Sequence, residues 1–243
     1  MSALLEIDKL TRRFGSVRAV ADASLSVEQG SITGLIGPNG SGKTTLFNLV
    51  TGYLRPHQGR VRFRGRDVTG RDSGRLYADG LTRTFQQARV FPQLTLRENL
   101  VVASGLTWPQ VFGRRQSRGD RQRADALLDE FGLGQVADLF ASELSYGQRK
   151  LLEFAAVLMS RPTLVLLDEP TAGVNPVMVS AMERHVRDQH AAGVSFLIVE
   201  HDMGFVMRMC DPVIVFDRGR PIFAGAPAEV QRNQLVLDAY LGD

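Results

Sequence analysis

Residues 37–44 decide the fold, and they read Gly37-Pro38-Asn39-Gly40-Ser41-Gly42-Lys43-Thr44. The stretch matches the phosphate-loop pattern GxxxxGK(S/T) in full, and it stands between an apolar run, SITGLIG, and an apolar repeat at helical spacing. In such a loop the glycines let backbone amides turn towards phosphate oxygens, and the following helix N-terminus adds positive potential. Lys43 would reach the terminal phosphates, and the Thr44 hydroxyl would bind magnesium. The flanking strand and helix disfavour the alternative of a glycine-rich turn without a ligand.

Two carboxylates stand at the end of a second apolar run. Residues 163–169 read TLVLLDE, and residues 195–201 read SFLIVEH. Short continuous apolar runs of this kind are typical of buried parallel strands, and the strand ends are where such sheets bind ligands. There Asp168 would hold magnesium, usually through water, and Glu169 would polarise the water that attacks a γ-phosphate. A pair of acids alone is a weak signal, but with a phosphate loop it favours nucleotide hydrolysis over a surface pair.

Other patterns predict strands before and after a helical middle. Apolar and polar residues alternate at 21–28 and 60–64, which indicates two half-exposed strands. Thr95 and Glu98 form a capping box ahead of apolar residues, and Asp120 precedes another repeat at helical spacing. Strand and helix therefore alternate on both sides of a mainly helical segment.

These elements predict an α/β fold in a single domain over 1–243. The core, a mainly parallel sheet with an antiparallel β edge, would take about 1–94 and 161–243, and a helical insertion would take about 95–160. The stretch 105–119 contains three glycines and is predicted to be a mobile loop.

Composition excludes several classes of protein. The chain has 243 residues, 44% of them hydrophobic and 23% charged, which is an ordinary globular balance. Its apolar runs are far shorter than the roughly 20 residues of a membrane-spanning helix. The N-terminus lacks a secretory pattern, so we expect a cytoplasmic chain. Lone Cys210, among apolar neighbours, is expected to be a buried thiol and not a reactive one.

The charge pattern does not indicate nucleic acid as a partner. The formal net charge is only +3. The densest basic run, Arg114 to Arg123, has no aromatic residues that could stack on bases. It fits a solvated face, or a contact with anionic lipid or a protein partner.

A third motif resembles the LSGGQ signature of ATP-binding cassette (ABC) ATPases; it reads Leu144-Ser145-Tyr146-Gly147-Gln148. Ser145 would cap a helix with Gln148 at the capping-box position, and Gly147 would permit close approach, so this helix start is a second anion site. The resemblance implies a P-loop NTPase core, ATP and Mg²⁺, and two subunits packed head to tail. The signature of each subunit would then meet the γ-phosphate bound by the other. Tyr146 replaces the usual second glycine.

The resemblance also assigns roles that the residues alone leave open. Phe14 takes the place of the aromatic residue that stacks on adenine, with a core phenylalanine as the alternative. Gln86 matches the glutamine that touches magnesium and links the nucleotide to the membrane partner, and His201 matches the histidine that contacts the γ-phosphate. The implied catalytic residues are Glu169, His201, Lys43 and Gln86, and the implied magnesium ligands are Thr44, Gln86 and Asp168. The implied ATP contacts are Phe14, Gly37, Pro38, Asn39, Gly40, Ser41, Gly42, Lys43, Thr44, Thr45 and, from the opposite subunit, Ser145, Tyr146, Gly147 and Gln148.

Four shorter motifs resemble the ATPases of branched-chain amino acid importers: GLTRTFQ at 80–86, AGVNP at 172–176, VEHDM at 199–203 and AYLGD at 239–243. They separate this branch less well from urea, amide or aromatic-acid importers and from the ATPase of lipopolysaccharide export, which is the alternative. A soluble cassette protein is disfavoured, because the chain has one cassette and no heptad run. The implied partners are two transmembrane permease subunits, a second ABC ATPase in a homodimer or heterodimer and, indirectly, a solute-binding protein, at the cytoplasmic face of the inner membrane.

Three remaining features have both structural and functional interpretations. The resemblance predicts permease contact in the helical insertion and at Val90–Glu98, and packing of this segment on the chain's own helices is the alternative. Asn175-Pro176 makes a good helix start, and it also stands where many relatives have an aspartate at an interface. The other histidines lack ligand-like neighbours, so no metal site built from side chains is expected around them; they are His57, His185 and His190.

Overall fold

The computed structural model describes residues 3–104 and 118–241. The strands in these ranges are β1 (Ala3–Phe14), β2 (Val17–Glu28), β3 (Ile32–Ile36), β4 (Gln58–Phe63), β5 (Arg66–Asp67), β6 (Leu81–Arg83), β7 (Leu164–Asp168), β8 (Ser195–Val199), β9 (Val213–Asp217) and β10 (Arg220–Gly225). The α-helices are α1 (Lys43–Val50), α2 (Ser73–Ala78), α3 (Leu96–Ala103), α4 (Arg118–Glu130), α5 (Tyr146–Leu158), α6 (Pro176–Ala191), α7 (Met203–Met209), α8 (Pro227–Arg232) and α9 (Gln234–Leu241).

The strands form two sheets. An antiparallel sheet has the order β2-β1-β4-β5, and a second sheet has the order β10-β9-β3-β8-β7-β6. In the second sheet β9, β3, β8, β7 and β6 are parallel, whereas β10 is antiparallel to β9. The predicted α/β fold, with a mainly parallel sheet and an antiparallel β subdomain, is confirmed.

The three continuous apolar runs form the inner strands β3, β7 and β8. Every residue of these strands is buried. In β8, Phe196 and Ile198 belong to a core shared with α3, α4 and α5, whereas Leu197 and Val199 belong to a core shared with α1 and the antiparallel sheet. Because both faces are covered, these strands show no alternation of apolar and polar residues.

The half-exposed strand predicted at 21–28 lies within β2, with one difference on its buried face. Ala23 is buried, as the alternation predicts. The next buried residue towards the start of β2 is Val20, whereas Ala21, which the alternation places on the same face as Ala23, is half-buried. The register shifts here, because two steps along β1 are matched by three along β2. Asp22, with a φ of 49°, lies in the resulting β-bulge. The extra residue turns Ala21 away from the core.

The described residues of the middle third are mainly helical, as predicted. The Thr95–Glu98 capping box begins α3. The described part of α4 already includes Arg118, so Asp120 lies in its first turn and does not precede the helix. Residues 105–117, which hold most of the predicted loop and part of the basic run, lie outside the described residues. Within that run Arg123 is structural, because it donates hydrogen bonds to the last carbonyls of α5.

Two observations relate to the composition of the chain. No helix among the described residues is long and apolar enough to cross a membrane. Cys210 is buried, and burial raises the pKa of its thiol to about 12, which keeps it protonated at neutral pH.

Candidate functional site

The phosphate loop connects β3 to α1 and packs tightly against two other strands. A Cβ built on Gly37 would lie 1.9 Å from the carbonyl oxygen of Phe216, and one on Gly42 would lie 2.2 Å from that of Ala19. Gly42 also has a φ of 106° at the N-cap of α1. Gly40, with a φ of 77°, has no atom within 4 Å of such a Cβ. Glycine is therefore required at positions 37 and 42 because neighbouring backbone approaches closely. At Gly40 it is favoured only by the positive φ.

Lys43 lies inside this loop. Its side chain donates hydrogen bonds to the carbonyl oxygens of Gly37 at 2.8 Å and Pro38 at 2.9 Å, and to Ser41 Oγ at 3.3 Å. Burial lowers the pKa of the ammonium, and the carboxylates at the end of β7 act in the opposite direction. The loop thus holds a buried cation on neutral carbonyl oxygens, next to its own backbone amides.

Glu169 follows β7 and contacts two other predicted site residues, Gln86 and His201. Its backbone has a φ of 49°, a left-handed conformation that costs a non-glycine residue about 1–3 kcal/mol. Gln86 Nε2 donates to Glu169 Oε2 at 2.8 Å, and His201 Nε2 lies 2.9 Å from Glu169 Oε1. Lys150 Nζ donates to the Glu169 carbonyl oxygen at 3.0 Å. The strained backbone therefore aims the carboxylate between the amide and the imidazole.

Asp168, the last residue of β7, is buried against an arginine that the sequence analysis missed. Arg83 Nη2 lies 2.9 Å from Asp168 Oδ2, and both side chains are about 5% exposed or less. Burial raises the pKa of the Asp168 carboxyl, and the Arg83 guanidinium lowers it. The sequence did carry a signal for this ion pair, because Arg83 is a charged residue within the short buried strand β6. A buried arginine requires partners.

Two cavities meet at Thr44. Thr44, Gln86 and Asp168 line one of about 520 Å³. Thr44 also lines the second, of about 250 Å³, together with Lys43, Thr45, Glu169 and His201. Among the described residues no group of three or more His, Cys, Asp or Glu side chains could hold a metal alone. The hydroxyl, amide and carboxylate oxygens of the first cavity do fit a Mg²⁺ ion that shares its ligands with phosphates.

The signature lies at the start of α5, where Ser145 is the N-cap. The capping box with Gln148 is confirmed. The Tyr146 hydroxyl donates to the Gln86 carbonyl oxygen at 3.4 Å. A Cβ on Gly147 would lie 2.8 Å from Met178 Cγ, so the close approach is to α6 of the same chain. Among the described residues that line the two cavities, none belongs to Ser145–Gln148.

A second missed residue, Glu153 of α5, holds the Gln86 loop. Its Oε1 accepts hydrogen bonds from the backbone amides of Phe85 and Arg89, each at 3.1 Å. Its Oε2 is buried and has no hydrogen-bond partner among the described residues. Burial raises the pKa of this carboxyl to about 7. The helix that begins with the signature is therefore tied directly to the loop that carries Gln86.

Phe14 lies at the exposed end of β1. Its side chain is 46% exposed, so the alternative of a core phenylalanine is excluded. It pairs across the sheet with Val17, which lines the second cavity. An exposed ring beside that cavity is available for stacking on a base.

The remaining candidates have structural partners. Asn175 caps α6 by accepting from the Met178 amide, with Pro176 at the first helical position. The ring of His185 is buried and stacks on Phe131 at 4.0 Å. The other two histidines contact backbone atoms; they are His57, next to Arg13, and His190, next to Gly30.

The glycine geometry predicts different effects for two alanine substitutions. Gly42→Ala should abolish nucleotide binding, because its Cβ would clash with the Ala19 carbonyl and displace the loop. Gly65→Ala, the matched control, has a positive φ of 71°, meets open space outside both cavities, and should retain binding with a stability loss of about 1 kcal/mol from that φ. Calorimetric titration with ATP and urea unfolding of both variants would check this. Equal loss of binding would contradict it.

The buried Glu153 carboxyl predicts a pH-dependent stability. With a folded pKa of about 7, raised above the ordinary 4.5, Glu153 takes up a proton in the folded chain before the unfolded one does. The wild type should gain about 2–3 kcal/mol relative to Glu153→Gln as pH falls from 8 to 5. Urea unfolding of both proteins across this range measures the difference. A constant difference between them would contradict the shift.

Comparison with known proteins agrees with this geometry. The ABC transporter family matches residues 20–172, and the family described as branched-chain amino acid ATP-binding cassette transporter matches residues 220–243. BraF of Pseudomonas aeruginosa, a high-affinity branched-chain amino acid transport ATP-binding protein, is 38% identical over 99% of this chain and 98% of its own. LivG of Escherichia coli, which has the same description, is 36% identical over the same shares.

Solved structures give the same result. A nucleotide-free ATP-binding cassette from an ABC transporter matches with a TM-score of 0.90 and 32% identity, covering 100% of both chains. The ADP conformation of MJ1267, also an ATP-binding cassette of an ABC transporter, matches with a TM-score of 0.89 and 33% identity, again over 100% of both chains. The loop, the two strand-end carboxylates, the signature and these matches together show that the chain belongs to the ABC transporter family, as one of its ATP-binding cassettes.

Proposed function

We propose that this chain hydrolyses ATP to energise the import of branched-chain amino acids or related small polar solutes. One observation carries the hydrolytic role: the Glu169 carboxylate lies between Gln86 and His201, beside the cavity of the phosphate loop. The descriptions of BraF and LivG support the class of solute, as does the family match at residues 220–243.

The phosphate loop would bind the ATP phosphates through its backbone amides and Lys43. Lys43 is already inside the loop, so its ammonium needs only to exchange the carbonyl oxygens of Gly37 and Pro38 for phosphate oxygens. Because the phosphate is charged, the new hydrogen bonds are the stronger ones. The other loop residues that line this cavity are Asn39, Gly40, Gly42 and Thr45.

Thr44, Gln86 and Asp168 would hold magnesium. When bound, Mg²⁺ bridges phosphate oxygens and neutralises the charge that develops during phosphoryl transfer. Gln86 donates through Nε2 to Glu169, which leaves its amide oxygen available as an acceptor. Asp168 would act through water from its buried position at the end of β7.

Glu169 would be the general base for the attacking water. In the described conformation each of its carboxylate oxygens has a hydrogen-bond partner, Gln86 Nε2 or His201 Nε2. A base must be within hydrogen-bond reach of the proton it removes, so water has to share or replace one of these contacts. We therefore assign His201 to the γ-phosphate and Gln86 to the metal. When ATP is bound, each residue would give up its hydrogen bond to Glu169, and the freed carboxylate oxygen could accept from water.

A second cassette would complete the site. Ser145 and Tyr146 are exposed at the start of α5, Gln148 is half-buried, and the segment lies outside both cavities of its own chain. Its helix start is suited to an anion, so we propose that it meets the γ-phosphate bound by a partner cassette. In this arrangement residues 95–160 act as the helical subdomain that carries the signature, and Phe14 stacks on the adenine of its own chain.

The permease subunits would contact Val90–Glu98, which locates the chain at the cytoplasmic face of the membrane. Phe91 is 55% exposed, and the Asn99 side chain, which bonds both the amide and the carbonyl of Phe91, fixes its backbone. Arg97 forms ion pairs with Asp125 and Asp138. Arg97 therefore joins elements of its own chain, and Phe91 is the better probe of a partner.

Glu169→Gln should reduce ATP turnover by about 10²–10⁴-fold, because an amide cannot accept the proton of water. ATP affinity should change little, and ATP-dependent dimers should accumulate. Phosphate release, calorimetry and gel filtration measure the three effects. Glu229→Gln, an exposed change on α8, is the control. Unchanged turnover of the Glu169 variant would exclude Glu169 as the base.

Phe91→Ala should uncouple transport from hydrolysis. The variant loses an exposed apolar side chain, so the isolated chain should keep its basal ATPase rate while solute uptake into cells falls. Leu235→Ala, also at an exposed position, is the matched control.

Purification of Glu169→Gln from its native membranes in mild detergent would identify the partners. Recovery of an export-type membrane pair in place of two import permeases would contradict the import proposal.

A further inference from the structure

Arg83 is an arginine buried at the end of β6, and the roles proposed above do not use it. Its side chain is 5% exposed. A guanidinium keeps its charge in a protein, so its burial is tolerated only where anionic and hydrogen-bonding partners surround it. The identity of those partners shows what the residue does.

The guanidinium has partners on two elements of the nucleotide site, β7 and α1. It donates to Asp168 Oδ2 at 2.9 Å on β7, to Asn48 Oδ1 at 2.6 Å on α1, and to Thr51 Oγ1 at 3.2 Å just beyond α1. Its Nε donates to the Thr84 carbonyl oxygen at 3.2 Å. Arg83 therefore connects the strand end that presents Asp168 with the helix that carries Thr44.

Aromatic rings hold the guanidinium in place. Its central carbon lies 4.6 Å from the ring centre of Phe85 and 5.5 Å from that of Tyr53, and those two rings contact each other edge to face. Rings at these distances attract the cation and exclude water from it. The planar group therefore has little freedom to follow a displaced carboxylate.

We propose that Arg83 is a positioning residue for the Asp168 carboxylate. By bonding Oδ2, it directs the other oxygen, Oδ1, towards the cavity shared with Thr44; among the described residues no donor is hydrogen-bonded to Oδ1. The inference rests on the proposed role of Asp168 at the magnesium ion. Arg83 also lines this cavity, but its inferred role is to hold Asp168 and not to bind the metal or the nucleotide itself.

Metal affinity separates a positioning role of Arg83 from a purely structural one. If the ion pair with Asp168 were only structural, a folded Arg83 variant would keep its metal affinity. Residues that orient a metal ligand typically contribute about 10–100-fold to metal affinity. We therefore expect Arg83→Met to lower the Mn²⁺ affinity of the ADP complex about tenfold or more, while ADP affinity in EDTA stays within about threefold. Arg83→Lys, which keeps a charge but not the fork, should be intermediate.

The experiment measures free Mn²⁺ by electron paramagnetic resonance with ADP at saturation, and ADP binding in EDTA by calorimetry. Asp168→Asn is the reference variant, and Arg83→Met combined with Asp168→Asn should bind Mn²⁺ no more weakly than Asp168→Asn alone. Asn48→Ala removes one anchor of the guanidinium without changing either charge, and it carries the test if Arg83→Met does not fold.

Two results would overturn the proposal. Full Mn²⁺ affinity in the folded Arg83 and Asn48 variants would leave Arg83 with a structural role alone, while a loss in Asp168→Asn would keep the magnesium assignment. Full affinity in Asp168→Asn would instead overturn the metal role of Asp168, and the positioning role with it.

Discussion

The parallel hydrogen bonding of β3, β8, β7 and β6 is the constraint on which the site depends. Parallel neighbours end at the same edge of a sheet, so the residues that follow these strands must meet there. Lys43 follows β3, Glu169 follows β7, His201 follows β8 and Gln86 follows β6. Burial of both faces of the inner strands fixes their register, because a slip by one residue would exchange the two cores. Rigid strands thus deliver side chains from four distant segments to one place.

The charged side chains at this edge of the sheet are each held by polar or oppositely charged groups. Lys43 is held by loop carbonyls, Asp168 by Arg83, and the Glu169 carboxylate by Gln86 and His201. Each arrangement reduces the cost of removing an ion from water. At Lys43 and Glu169 it leaves contacts that a phosphate or metal can replace, and at Asp168 it leaves Oδ1 without a donor among the described residues. The site is therefore stable as folded and also prepared for a highly charged ligand.

Helix α5 joins the signature to the sheet edge that holds Glu169 within one chain. Glu153 binds the backbone on both sides of Gln86, Tyr146 contacts the Gln86 carbonyl, and Lys150 contacts the Glu169 carbonyl. Displacement of the start of this helix would therefore act on the same loop that positions the Glu169 carboxylate. The tyrosine that replaces glycine in the signature supplies one of these contacts.

Local signals determined much of this fold from sequence alone. The glycine pattern predicted the phosphate loop, continuous apolar runs predicted β3, β7 and β8, and capping boxes predicted the starts of α3 and α5. Each signal depends on neighbours within a few residues, so it can be recognised without knowledge of the fold. The family resemblance added the expectation that Gln86, Glu169 and His201 lie close together. Glu169 is hydrogen-bonded to both of the others, in agreement with this expectation.

Tertiary structure decided the features that depend on register and long-range packing. The bulge that turns Ala21 outward arises from pairing between β1 and β2. Arg83 and Asp168 are 85 positions apart in sequence, and Glu153 is 68 positions from Phe85, so no local pattern could have paired them. Gly147 is small because α6 brings Met178 against it. Sequence alone indicated which groups are candidates for the chemistry, and only the packed sheet and helices decided which partners hold them, because burial leaves each charge no alternative to its neighbours.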